Sequence, residues 1–201
     1  MPAHLPPQLT LDLEAVLSPP RFATYVRACG GDTGRAIALY CWNTEIAAAL
    51  YTPLQFAEIT VRNGAAEAIE RVFGSDWHQN MAFRNGIRAK VGRYRMRGDL
   101  EALARRHKTA GAVVAELKFA FWQHLFVSTQ DGRLWSHHLR NVFPAIPAVL
   151  SDGQARETIH DHIQTVRTLR NRIAHHEPII SRDRTADLRA ARTLIDWRRP
   201  T

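Results

Sequence analysis

Residues Ser151–Pro178 read SDGQARETIHDHIQTVRTLRNRIAHHEP, and within them Ile159, Ile163, Val166, Leu169 and Ile173 recur at intervals of four, three, three and four. That spacing draws one apolar stripe on a helix starting near Ser151 or Asp152. At about 100° per residue, Arg170 falls close to the middle of the stripe, whereas His175 and His176 fall well off it on two different sides. A guanidinium on an apolar face is costly unless it is paired or opens onto a cleft. Arg170 is therefore expected either to have a buried carboxylate partner or to lie where the face meets a second subunit. Pro178 disfavours helical geometry at Glu177, so the helix stops here with both histidines in its last turn, where the helix dipole favours imidazolium. One helix does not converge Arg170 and both histidines on a point, which calls for a bend after Ala174 or a site composed with a second copy across a two-fold axis.

Helix signals recur on both sides of this stretch. Ser18-Pro19-Pro20 opens a short helix to about Ala28, which Gly30-Gly31 closes. Asp32 or Thr33 caps a second, expected to run to about Tyr51. Thr52-Pro53 reads as the cap and first-turn proline of a third, continuing to Phe73 and stopping at Gly74. There Glu58 and Arg62 sit one turn apart and can pair. A basic helix is predicted from about Asn85 to Arg106, interrupted at Gly98-Asp99. An aromatic one, from about Ala112 to Val127, is expected to be a hinge of core between two halves. Leu134–Val142 and a last helix from about Arg184 to Trp197 complete the set. No alternation is long enough to argue for a sheet, so the fold class is all-α. We divide the chain into an extension, 1–18, and one domain, 19–200, with halves of about 19–110 and 111–200.

Composition narrows the class of protein. With 201 residues, 45% of them hydrophobic, the chain can bury a substantial core. It has no apolar run of about 18 residues, and Met1–Gln8 lacks the basic and apolar regions of a signal peptide. A cytoplasmic protein with no membrane association is expected. Cys29 and Cys41 read as two buried thiols rather than a disulfide scaffold or zinc site. His160 and His162 point to different sides of a helix, and no Cys, Asp or Glu spacing completes a site with them or with His137-His138. The expected metal and cofactor content is none.

Of the formal charge of +8, nearly all is local: Arg84, Arg88, Lys90, Arg93, Arg95, Arg97, Arg105, Arg106 and Lys108 face only Asp99 and Glu101, a local excess of seven. Such a block either is a solvated basic helix or neutralises several phosphates, giving salt-sensitive affinity with little sequence preference. We take Arg84, Arg88, Lys90, Arg93, Arg95 and Arg97 as candidate RNA-binding residues, with Tyr94 able to stack on a base.

Arg170, Asn171, His175 and His176 make the second candidate site. Cleaving RNA by attack of its own 2′-hydroxyl needs a base, an acid and a cation for the phosphorane charge. Histidine can supply the first two and arginine the third. Arg-Asn also occurs at Arg62-Asn63, Arg84-Asn85 and Arg140-Asn141, but only Arg170 has a histidine four to six positions later. Arg62-Asn63 is read as scaffold. The other reading of 170–177 is a helix end with Arg170 in a buried ion pair.

Arg170-Asn171 followed by His175-His176-Glu177-Pro178 resembles the Arg-x4-6-His signature of the HEPN superfamily, in the Arg-Asn-x-x-x-His-His-Glu form typical of Abi-like (abortive infection) proteins. Leu54–Val72 with Glu58 and Arg62-Asn63, the turn Gly74-Ser75-Asp76-Trp77, Val114–Trp122, Leu134-Trp135 with Phe143-Pro144, and Leu194–Trp197 are similar to further segments of that family. The resemblance covers roughly Arg21 to Pro200. It implies a HEPN-type helical bundle with the N-terminal helical half packed on it. It also implies a homodimer and a metal-independent endoribonuclease leaving a cyclic phosphate and a 5′-hydroxyl. Arg170, Asn171 and His175 match the signature, with His176 the second histidine. The function expected is that of a toxin-like phage-defence effector whose partners are RNA, as substrate or regulator, and an antitoxin. Because the family also contains inactive members, a non-catalytic RNA-binding or partner-binding module is the alternative.

Overall fold

The computed structural model describes residues 15–17 and 19–200, so most of the 1–18 extension lies outside the described residues. Its helices are α1 (Pro19–Ala28), α2 (Thr33–Phe73), α3 (Met81–Gly86), α4 (Met96–Arg106), α5 (Ala110–Glu116), α6 (Phe119–Gln123), α7 (Ser136–Val142), α8 (Asp152–Ala174) and α9 (Arg184–Asp196). A 3-10 turn at Ser128–Gln130 and a π-helical turn at Asp131–Trp135 lead into α7. No strand occurs among the described residues, whose only β feature is an isolated Val91–Tyr94 bridge. The chain is all-α, and none of the described helices is long and apolar enough to cross a membrane.

Contacts group the chain into two compact units. One compact unit comprises 1–52 with 171–183, the other 53–170 with 184–201. The first is built on Phe22, Tyr25, Ala36 and Ile37, against which Leu17, Val26, Leu39, Tyr40 and Ile180 pack. Gly30 and Gly31 take φ of 64° and 91°, which a side chain would resist, and Gly31 N–H closes the end of α1 on Val26 O at 2.9 Å. Asp32 Oδ1 then accepts Arg35 N–H at 2.9 Å and caps α2. Cys29, half-buried, joins this core, whereas Cys41 is exposed rather than buried.

The second unit is organised around aromatic side chains. Trp77 meets Phe83 and Trp122 edge-on, and Phe126 stacks on Trp135 at 4.2 Å between centroids. Trp135 Nε1–H also donates to Leu125 O at 2.7 Å, so its polar atom is satisfied in the core. On α8 Ile159, Ile163, Val166 and Leu169 of the predicted stripe are fully buried, with Ala155 one turn earlier, whereas Ile173 at its end is half-buried. α2 approaches α7 closely at Gly64, where a Cβ would lie 3.0 Å from Val142 Cγ1.

Three predicted elements differ. Thr52-Pro53 does not start a helix: α2 runs 41 residues with Pro53 inside. Proline lacks one amide, but its φ is helical, so a helix held on both flanks can continue through it. The basic helix is two helices, α3 and α4, joined by the loop 87–95; Gly98 lies within α4. There Val91 and Tyr94 exchange both backbone bonds at 2.9 Å around Gly92, whose φ is 56°. The aromatic helix likewise breaks at Leu117-Lys118 into α5 and α6, and its buried side chains serve the second unit's core.

Candidate active site and basic loop

α8 ends in a turn that its sequence does not advertise. His175 N–H reaches Asn171 O at 2.9 Å, His176 N–H reaches Ile173 O at 3.0 Å, and Glu177 N–H reaches back to Arg172 O at 2.8 Å. These last two bonds are those of a Schellman end, in which the residue at the His176 position is usually glycine. His176 takes φ 56°, the one positive value on a non-glycine residue among those described. A left-handed backbone is costly for a residue with a Cβ and collects at functional positions.

Arg172 locks the turn from inside. Its Nη2 donates to Pro178 O at 2.7 Å, and its Nε lies 3.6 Å from Glu177 Oε2. Buried Asn43 on α2 accepts Ile179 N–H at 2.8 Å, and Ile180 packs into the first unit's core. The segment after α8 is therefore fixed at three successive residues. Asn171, His175, His176 and Glu177 are all exposed. Sequence reasoning gave Arg172 and Asn43 no role, because each acts through a backbone group and leaves no residue-type pattern.

Arg170 belongs to the second unit, and there it has a carboxylate partner, one of the two outcomes its helical position allowed, though a partly exposed one. Its Nε lies 3.4 Å from Glu58 Oε2 on α2, with 42% of the arginine side chain and 21% of the glutamate side chain exposed. Glu58 thus pairs with Arg170 rather than with Arg62, whose Nε is buried without a hydrogen-bond partner. The pair leaves the arginine side chain partly exposed.

The candidate RNA-binding cations divide into two kinds. Arg84 donates to His78 O at 2.8 Å, and Arg97 to Ile87 O at 3.0 Å and Asn85 O at 3.2 Å. Arg97 thereby clamps the start of the loop 87–95, whereas Arg84 ties α3 to the turn before it. Arg88, Lys90, Arg93 and Arg95 are exposed along it. Tyr94 is half-buried, with Lys118 Nζ 5.5 Å from its ring centroid and the His124 ring at 6.2 Å, so its ring is already engaged. Burial, with the Asp99 carboxylate beside it, pushes its phenol above the usual range. Among the described residues no group of three or more His, Cys, Asp or Glu is placed to hold a metal ion.

No protein-family model matches the chain, and no curated protein or solved structure matches it. Functional inference therefore rests on the residues themselves.

Proposed function

We propose that the chain is a HEPN-type, metal-independent endoribonuclease acting as an abortive-infection or toxin-like defence effector in the cytoplasm. The observation that carries this reading is the end of α8: a half-open arginine followed, within six residues, by two exposed histidines on a turn that holds His176 in a left-handed conformation. Each group suits one demand of the reaction.

In the first step an imidazole, that of His175 or His176, removes the 2′-hydroxyl proton. The freed oxygen attacks the adjacent phosphorus, and charge gathers on the non-bridging oxygens, where the Arg170 guanidinium can hold it. The bond from phosphorus to the 5′-oxygen then breaks, and an imidazolium protonates that leaving oxygen. A 2′,3′-cyclic phosphate and a 5′-hydroxyl result. Asn171 orients a histidine or a phosphate oxygen, and Glu58 acts on Arg170 as a positioning residue. A homodimer supplies two copies of the motif to one site, and the exposed cations of the loop 87–95 attract the RNA. A regulatory RNA or an antitoxin protein would restrain such an enzyme.

The test is incubation of purified protein with single-stranded and structured RNA in EDTA, beside Arg170→Ala and His175→Ala. Cyclic-phosphate ends produced by wild type and lost in both variants support the nuclease. Undiminished cutting by both variants sinks the site assignment. The exposed basic loop favours one other reading, a module that binds RNA or a partner without cutting. In that case neutralising Arg93 and Arg95 removes binding, and His175→Ala changes nothing.

A further inference from the structure

His160, which sequence spacing left without a role, and His124 stand beside a second group of arginines, wholly within the unit formed by 53–170 and 184–201. His160, Gln164 and Arg167 follow one another on α8 at four and three residues, and so share a face. Gln164 joins that face to α6: its Oε1 accepts Gln123 Nε2–H at 2.6 Å and Arg167 Nη2–H at 3.3 Å. His124 follows Gln123 directly, and its ring faces that of Tyr94 at the end of the basic loop, which also carries Arg88.

Three elements thus bring cations together. Burial first, and then the charges of Arg167, His160 and Arg88, push the His124 imidazole below its ordinary 6.5. The nearby carboxylates offset little of it. Asp161 lies 3.2 Å from His160, and Asp99 is occupied by Lys118 at 2.8 Å. Among the described residues neither Arg88 nor Arg167 has a carboxylate partner. Two arginines without an acid partner raise the free energy of the empty protein, and a polyanion is what relieves it.

We propose that Arg88, His124, His160 and Arg167 form a seat for the sugar–phosphate backbone of single-stranded RNA. Arg167, its member nearest the motif, lies one helical turn before Arg170 on α8. This seat rests on the reading of the chain as an RNA-acting protein. It extends the RNA contact from the loop 87–95 onto the helix that carries the motif.

The test uses fluorescein-labelled single-stranded 2′-O-methyl RNA, which has no free 2′-hydroxyl to attack with, and follows anisotropy across a salt series. Arg88→Gln and Arg167→Gln are compared with wild type and with Arg192→Gln, which removes an exposed charge on α9. Each seat variant is expected to weaken binding roughly tenfold, as loss of one charged hydrogen bond does. Each should also flatten the slope of log affinity against log salt by about 0.7. Arg192→Gln should do neither. Wild-type binding that Arg88→Gln and Arg167→Gln weaken no more than Arg192→Gln overturns the seat and leaves the RNA reading standing. A wild type that binds no RNA even at low salt overturns both.

Discussion

Replacing His176 by glycine isolates the strain at the end of α8. A left-handed helical backbone costs a residue with a Cβ roughly 1–2 kcal/mol that glycine does not incur. Glycine returns about 0.4–1 kcal/mol of this through the greater freedom of the unfolded chain. His176 is exposed, so the substitution gives up no packing, and the bonds from His176 N–H to Ile173 O and from Glu177 N–H to Arg172 O survive it. The balance predicts a gain of about 0.5–1 kcal/mol for His176→Gly. At about 2–4 °C per kcal/mol for a chain of this length, Tm should rise by roughly 1–4 °C. His176→Ala keeps the Cβ and with it most of the strain, so it should gain little. Thermal unfolding followed by circular dichroism, with hydrogen exchange at the Glu177 amide, reads both effects. A His176→Gly variant no more stable than His176→Ala would refute the argument. RNA cleavage by the same variant separates the histidines: stability gained with cleavage lost marks His176 as a working residue held at a conformational cost, whereas unchanged cleavage leaves His175 as the working one.

Other perturbations follow from particular contacts. Glu58→Gln weakens a partly exposed ion pair and should cost no more than about 1 kcal/mol in urea unfolding. It should still slow single-turnover RNA cleavage roughly tenfold by releasing Arg170; full-rate cleavage would remove Glu58 from the site. At Gly86 an added methyl would coincide with the Arg133 guanidinium, which donates to Ala82 O at 2.8 Å and covers Phe73. Gly86→Ala should swing the guanidinium aside and cost no more than about 1 kcal/mol, the worth of the displaced contacts, and nothing in an Arg133→Ala background, as a double-mutant cycle would measure. His124 and His162 both lie below 6.5, His124 through burial and then its cationic neighbours, His162 through burial that Asp161 partly counters. As pH falls below 6.5 the unfolded chain takes up these protons before the folded one, so stability should be full above that pH and decline below it. His124→Gln with His162→Gln should flatten the decline in denaturant titrations between pH 7 and 5; an unchanged slope would assign it to other groups.

The sequence by itself determined the all-α class, the bounds of α8 and α9 within a residue or two, and the buried stripe of Ile159, Ile163, Val166 and Leu169. Periodicity and caps are local, and these helices follow them. Periodicity gave Arg170 either a carboxylate partner or a subunit contact, and it named Arg62 as the companion of Glu58, because i, i+4 neighbours are the only pairs that a chain displays without its fold. Tertiary structure decided otherwise, bringing Glu58 to Arg170 across more than a hundred residues. It likewise split the basic segment at Gly92 and set Arg84 and Arg97 to clamping carbonyls while Arg88, Lys90, Arg93 and Arg95 stayed exposed. Charge counting cannot separate those two uses of an arginine, since a backbone carbonyl has no residue type. The left-handed turn at His176 was illegible for a related reason. Glycine would announce such a turn, and here a histidine is held in it by backbone bonds to Arg172 and Ile173, in a segment that Asn43 anchors from α2.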